Sequence, residues 1–241
     1  MRMLLRIAVL SDAHGNLPAL ETVLHRIQEE DIDSIYHLGD MIGIGPFPAE
    51  CLDLWSRTPR SISLMGNHDS FLVDGLPDPL PKTISPGEVD HHRWVFSTIN
   101  PSLKRVVRTW PLSLVKQIGD LRVMFLHYAL NKMRRGYLPY IEDPDPSSLD
   151  KLFEDVEADI IFYGHDHRES DITGRARYLN PGSLGCHSEA IARYIILEID
   201  EDSEYRVTRC MVPYDDHSVF EELETRKVPD RETILRCFFP R

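Results

Sequence analysis

The chain has 241 residues, enough to bury a substantial core within one large domain. Its hydrophobic fraction of 42% and charged fraction of 27% are those of a globular protein, which excludes the disordered and fibrous classes. With 27 Lys and Arg against 39 Asp and Glu the net charge is −12, so the basic footprint of a nucleic-acid binder is absent and stable nucleic-acid binding is not expected.

The first apolar run, residues 4–10, reads as a buried strand. Arg6 interrupts it, Asp12 follows at once and no small-residue cleavage site appears, which sets it apart from a signal peptide. No run reaches the roughly 18–20 apolar residues of a membrane span, and a cytoplasmic location without membrane contact is expected. Further strands are expected at 34–38, 61–65, 122–126 and 159–163, with a hairpin from 192–199 and 205–212.

Leu17, Leu20, Leu24 and Ile27 share one face of a helix that Asn16 can cap, with Pro18 tolerable in its first turn. Leu149, Leu152, Phe153 and Val156 mark a second helix, entered through Ser147. Residues 71–111 are less regular, Pro-rich up to Pro86 and helical from Val89 to Ile99, and suit a cover over one end of a sheet. A helical tail is expected at 214–241. Strand and helix alternate in the manner of an α/β layered fold, and no repeat or linker divides residues 1–241 into more than a single domain. The four cysteines, Cys51, Cys186, Cys210 and Cys237, form no C-x-x-C pair. They read as free buried thiols in a reducing compartment, with no thiolate metal site.

The polar clusters fall where apolar strands end, which is where open α/β sheets form their ligand sites. The first strand runs into Asp12 and His14, the second into Asp40, the third into Asn67 and His68, the fourth into His127, and the fifth into His165 and His167. One His after a strand says little, but five strand ends that all carry Asp, Asn or His do not look like coincidence. Carboxylate, imidazole and amide donors suit hard or borderline divalent ions such as Mn, Fe, Zn or Ni.

In order along the chain these motifs are D-x-H, G-D, G-N-H-D, a lone His and G-H-x-H, and this series resembles the calcineurin-like metallophosphoesterases. It spans Asp12 to His167, and Asn180-Pro181-Gly182-Ser183 and Gly43-x-Gly45-Pro46 are also similar to the small bacterial members. The resemblance implies a four-layer α/β/β/α sandwich, two facing sheets flanked by helices. It also implies two divalent metal ions, one held by Asp12, His14, Asp40 and His167 and the other by Asp40, Asn67, His127 and His165. Asp40 would bridge them together with a water or hydroxide, and His68 would face the leaving-group oxygen. Two such ions roughly 3.5–4 Å apart can hold both nucleophile and phosphoryl oxygen, and bound water is acidified towards neutral pH.

The function expected is metal-dependent hydrolysis of small phosphate esters, with phosphodiesters slightly favoured over phosphomonoesters. The alternative is a binding or scaffold protein that keeps the fold without turnover; His68 retained beside every ligand favours the enzyme. A metal-independent hydrolase is a distant third, because no Ser or Cys nucleophile signature is present. Asn16 is a candidate for presenting phosphate to a helix start. Lys132, Arg134 and Arg135 are candidates for steering an anion, although a solvated loop is the simpler reading. His91, His92 and Trp94 are candidate leaving-group contacts, although packing is simpler. Gly43 and Ile44 stand where the protein-phosphatase branch carries an Asp and an Arg. The carboxylate partner expected for His68 is thus missing there, and Asp69 is left as a possible substitute.

Overall fold

The computed structural model describes residues 3–131 and 136–240. The chain opens with β1 (Met3–Leu10), α1 (Leu17–Gln28), β2 (Ser34–His37), α2 (Pro48–Arg57) and β3 (Ser61–Ser63). Helices α3 (Asn67–Asp74), α4 (Pro86–Thr98) and α5 (Pro101–Val107) precede β4 (Ser113–Ile118) and β5 (Leu121–Leu126). Then come α6 (Pro146–Leu152), β6 (Ile160–Phe162), β7 (Glu169–Thr173), β8 (Arg177–Pro181), the hairpin β9 (Ile191–Asp200) and β10 (Tyr205–Pro213), and finally α7 (His217–Thr225) and α8 (Arg231–Phe238).

The strands form two five-stranded sheets, ordered β10-β9-β1-β2-β3 and β4-β5-β6-β8-β7. In each, three neighbouring strands are parallel: β1, β2 and β3 in the first, β5, β6 and β8 in the second. Their carboxyl ends therefore point the same way within each sheet. The alternation of side chains along β1 sets the layering. Ile7 and Val9 face the second sheet, where they meet Phe125, Phe162 and Leu179; Ala8 and Leu10 face the helices, where they meet Leu20, Val23 and Leu24 of α1. On the far side of the second sheet, Ile161, Tyr163 and Tyr178 pack with Leu149 and Phe153. The result is the expected order of helix, sheet, sheet and helix.

Local sequence explains the best-defined helix. Asn16 accepts a hydrogen bond from the Ala19 N–H at 3.1 Å, and α1 buries Ala19, Leu20, Val23, Leu24 and Ile27 on one face. The second expected helix begins one residue before Ser147. Its cap is Asp145, whose carboxylate accepts from the Ser148 N–H at 2.7 Å, and Val156 lies beyond its end. The segment 71–111 contributes the second half of α3 and all of α4 and α5. It packs with α2 against the helical face of the first sheet.

Edge strands β4 and β7 carry polar residues on exposed positions, which hides them from hydrophobic periodicity. Strand β8 is buried but short, and ends in Asn180-Pro181. Helix α2 is signalled only by Pro48 and by buried Cys51, Leu52 and Trp55. Among the described residues no helix is long and apolar enough to cross a membrane. Cys51 and Cys186 are buried as expected, whereas Cys210 is half-buried and Cys237 exposed.

Phe125 is the centre of the inter-sheet core. Its ring stacks on Tyr36 of the opposite sheet at 4.0 Å and neighbours Phe162 at 5.4 Å. Phe125→Ala should lower unfolding free energy in urea by about 3–5 kcal/mol, the usual cost of a large aromatic cavity.

Candidate metal centre

The turns after the parallel strands are sewn to one another. Asp12 N–H donates to Gly39 O at 3.0 Å and His14 N–H to Asp40 O at 2.9 Å, which joins the β1 turn to the β2 turn. His68 N–H donates to Asp40 Oδ1 at 2.9 Å, bringing in the β3 turn. His165 N–H donates to Asp12 Oδ2 at 3.1 Å, which ties the second sheet to the first. The backbone at Asp12, His14, Asp40, His165 and His167 has φ between 47° and 77°, the left-handed region. Such conformations cost non-glycine residues on the order of 1–3 kcal/mol each and persist only where surrounding contacts enforce them.

Seven expected ligand residues converge. The Nε2 atoms of His14 and His167 lie 2.9 Å apart, and Asp12 Oδ1 lies 3.6 Å from the first and 3.5 Å from the second. On the other side His127 Nε2 lies 3.1 Å from Asn67 Oδ1 and 3.3 Å from His165 Nδ1. Asp40 Oδ2 sits between the two groups, 3.8 Å from His14 Nε2 and 3.3 Å from His127 Nε2.

The donor set fits divalent cations. His14 Nδ1 lies 3.2 Å from the Ile42 carbonyl, so an N–H there leaves Nε2 with its lone pair turned inward. Asp12 Oδ1 is fully buried and accepts no hydrogen bond. Two inward imidazole nitrogens in contact, beside an orphaned carboxylate oxygen, form an arrangement that a cation satisfies and a water network does not.

The electrostatics are tightly linked. Burial alone would raise the Asp12 carboxyl, but the neighbouring imidazoles of His14, His167 and His127 hold it well below the usual range. Burial likewise opposes ionisation of Asp40, and the imidazoles of His127 and His68 overcome it. His127 is lowered by burial and raised more by Asp40, ending at about 9. His165 has no comparable carboxylate contact; burial and the His127 charge push it down to about 4.

His68 stands beside this cluster, with Nε2 3.9 Å from Asp40 Oδ2. Its Nδ1 is buried without a hydrogen bond, because Gly43 lies directly behind it: a Cβ on Gly43 would come within 2.5 Å of that nitrogen. Asp69 is not the missing partner. Its carboxylate accepts from the backbone N–H groups of Asp40 at 2.7 Å, Gly66 at 3.0 Å and Met41 at 3.2 Å. Burial and the Asp40 charge nevertheless raise Asp69 to about 7. His68 is held instead between rings, with His14 edge-on at 5.1 Å and His92 tilted at 4.9 Å.

Asn16 does not face this site. It is fully buried, and besides capping α1 its Nδ2 donates to Gly185 O at 2.8 Å and Tyr214 Oη at 2.9 Å. The expectation of substrate contact there gives way to a role in anchoring a loop. A cavity of about 730 Å³ opens over Asp40, Asn67, His68, His165 and His167. His91, His92 and Trp94 are not among its lining residues; His92 supports His68 from behind. Lys132, Arg134 and Arg135 lie outside the described residues. Arg168 and Phe238 line the cavity, and the Phe238 ring is 5.9 Å from that of His167. Arg168 follows the last motif and was open to suspicion from that alone; nothing local distinguishes Phe238.

Residues 5–202 match the model of the calcineurin-like phosphoesterase superfamily domain. The chain belongs to that superfamily. This supports metal-dependent phosphoester hydrolysis in general terms, since the family generally binds divalent metals. The chain is 27% identical over 240 residues to the uncharacterized protein MJ0912 of Methanocaldococcus jannaschii, covering 93% of this chain and 94% of the relative. Its fold is that of a metallophosphoesterase from Sphaerobacter thermophilus, with TM-score 0.71, 23% identity, and 96% and 97% of the two chains covered. It is also similar to the hypothetical protein PH1004 of Pyrococcus horikoshii OT3, with TM-score 0.81, 20% identity and 99% of both chains covered.

Asp69 offers a test of how the site is built. Asp69→Ala strands three buried N–H groups, each worth on the order of 1–3 kcal/mol. The variant should unfold at markedly lower urea concentration and bind added zinc more weakly in chelator competition.

Proposed function

We propose that the chain, acting as one domain, is a dinuclear metal-dependent phosphoesterase for small phosphate esters, with phosphodiesters favoured slightly over phosphomonoesters. The observation that carries this reading is the position of Asp40 Oδ2 between two separate groups of imidazoles, 3.8 Å from His14 and 3.3 Å from His127. Asp12, His14, Asp40 and His167 would hold one ion, and Asp40, Asn67, His127 and His165 the other, with Mn, Fe, Zn or Ni all compatible with the donors. Bound divalent ions would supply Lewis-acid polarisation of a phosphoryl oxygen and acidify water.

The chain's own groups do the rest. His68 borders the cavity through its Nε2 edge and can donate a proton to the departing oxygen. Arg168, at the cavity wall, offers positive charge to a phosphate. Ile44 presents an apolar wall where a clamping Arg would favour a dianionic monoester, so the singly charged diester is the better match. A cavity of about 730 Å³ accommodates a small ester, and the net charge of −12 disfavours long nucleic acids.

The direct test is a panel of mono- and diesters on protein reconstituted separately with Mn, Fe, Zn and Ni. A clear kcat/KM advantage for phosphopeptides or long DNA overturns the substrate assignment. Asp40→Asn should lower metal content at both positions, read by elemental analysis; two ions held as tightly as before would refute the bridge. His68→Asn should keep both ions and lose about 10²–10⁴-fold on alkyl esters, with a clearly smaller loss on p-nitrophenyl esters, whose leaving group needs little proton donation. Equal losses would assign His68 to oxyanion stabilisation.

A further inference from the structure

The site contains a buried thiol to which the reading above gives no role. Cys186 is 5% exposed, and its Sγ, His14 Nε2 or Nδ1 and a ring nitrogen of His167 all lie within 4.8 Å of one another. The neighbouring Asp12 Oδ1 is a fully buried carboxylate oxygen with no hydrogen-bond partner among the described residues, 3.5 Å from His167 Nε2 and 3.6 Å from His14 Nε2. One side of the centre thus gathers oxygen, two nitrogens and sulfur.

The loop that carries the thiol is held in place by several bonds to the Asp12 turn. Leu184 N–H donates to Ser11 O at 2.9 Å and Gly185 N–H to Asp12 O at 3.1 Å. Ser183 Oγ donates to Asp12 O at 2.8 Å and accepts from Cys186 N–H at 2.8 Å, which links the two turns through a single hydroxyl. Asn16 clamps the same loop through Gly185 O at 2.8 Å. The approach is so close that any Cβ on Gly185 would collide with Ala13 O. These contacts bring the Cys186 backbone to the ligand turn and leave its side chain beside His14 and His167.

We infer that Cys186 is a further ligand, supplying a thiolate to the ion assigned to Asp12, His14, Asp40 and His167. The inference rests on the metal-centre reading above and extends it to a mixed oxygen, nitrogen and sulfur set. On binding, the S–H proton passes to solvent as the sulfur–metal bond forms. With Zn–N of about 2.1 Å and Zn–S of about 2.3 Å, two ligands of a tetrahedral ion lie roughly 3.6 Å apart, so the three side chains, already within 4.8 Å of one another, draw in as the ion binds. A thiolate shifts this position towards zinc or ferrous iron and away from manganese and magnesium, which prefer oxygen.

The test is the full chain reconstituted with Co(II) and, separately, with zinc. Native protein should show a near-ultraviolet thiolate-to-cobalt charge-transfer band. Cys186→Ala should lose that band while keeping the visible cobalt bands, and Cys237→Ser, at the mouth of the same cavity, should keep both. X-ray absorption of native zinc protein should show one sulfur at about 2.3 Å, a readout that needs no variant. Zinc affinity in chelator competition should fall by about tenfold or more in Cys186→Ala. Bound cobalt without the band, or zinc surrounded by nitrogen and oxygen alone, overturns the thiolate and leaves the centre standing. Failure of native protein to hold either ion overturns both readings.

Discussion

A carboxylate sealed from water must be matched by positive charge, and Asp40 concentrates that requirement at the middle of this molecule. It is 2% exposed, yet its oxygens meet the His68 N–H and the rings of His14 and His127. Burial of this kind costs several kcal/mol unless partners replace the lost hydration. The partners come from both sheets, so the charge at Asp40 can be accommodated only when the two halves of the fold are correctly apposed.

That requirement explains the unusual backbone around it. Five of the seven proposed ligands have positive φ, and each sits where a parallel strand has just ended. An extended strand would send successive side chains to opposite faces; the left-handed residue breaks that alternation and turns the functional group into the shared space. The cost is carried by hydrogen bonds between turns and by the flat aromatic core of Tyr36, Phe125 and Phe162 beneath them. Asp69 serves the same end from below, spending its carboxylate on three backbone N–H groups.

The region above the centre follows a different logic. Its residues reach the cavity from remote parts of the chain: Arg168 just past the last motif, Cys186 on the loop clamped by Asn16, and Phe238 from α8. They line the cavity without belonging to the shared strand-end motifs. Ile44 adds an apolar side chain to the same wall.

The identities at the strand ends were legible because each motif is local: a few residues, read directly after an apolar run, carry their own chemistry. The series from Asp12 to His167 therefore carries the resemblance to the superfamily, and the layered architecture follows from that resemblance. Edge strands β4 and β7 were not legible: β4 is exposed on both faces at its centre, and the half-buried face of β7 carries Ser170 beside Ile172, too little apolar character to mark a strand. Nor were the surroundings of Asp69, His92 and Cys186, nor the second task of Asn16 beyond the helix cap that its position announces. Asn16 and Asp69 have the residue types of a binding and an orienting group, but their polar atoms are consumed by Gly185, Tyr214 and the turn backbone. Cys186 has no neighbouring cysteine to suggest a metal, and only the contact of its loop with the Asp12 turn brings it to two imidazoles. Sequence by itself determined which donors exist and which strand ends carry them. Tertiary structure decided which atoms remain unspent, because hydrogen-bond occupancy depends on partners distant along the chain.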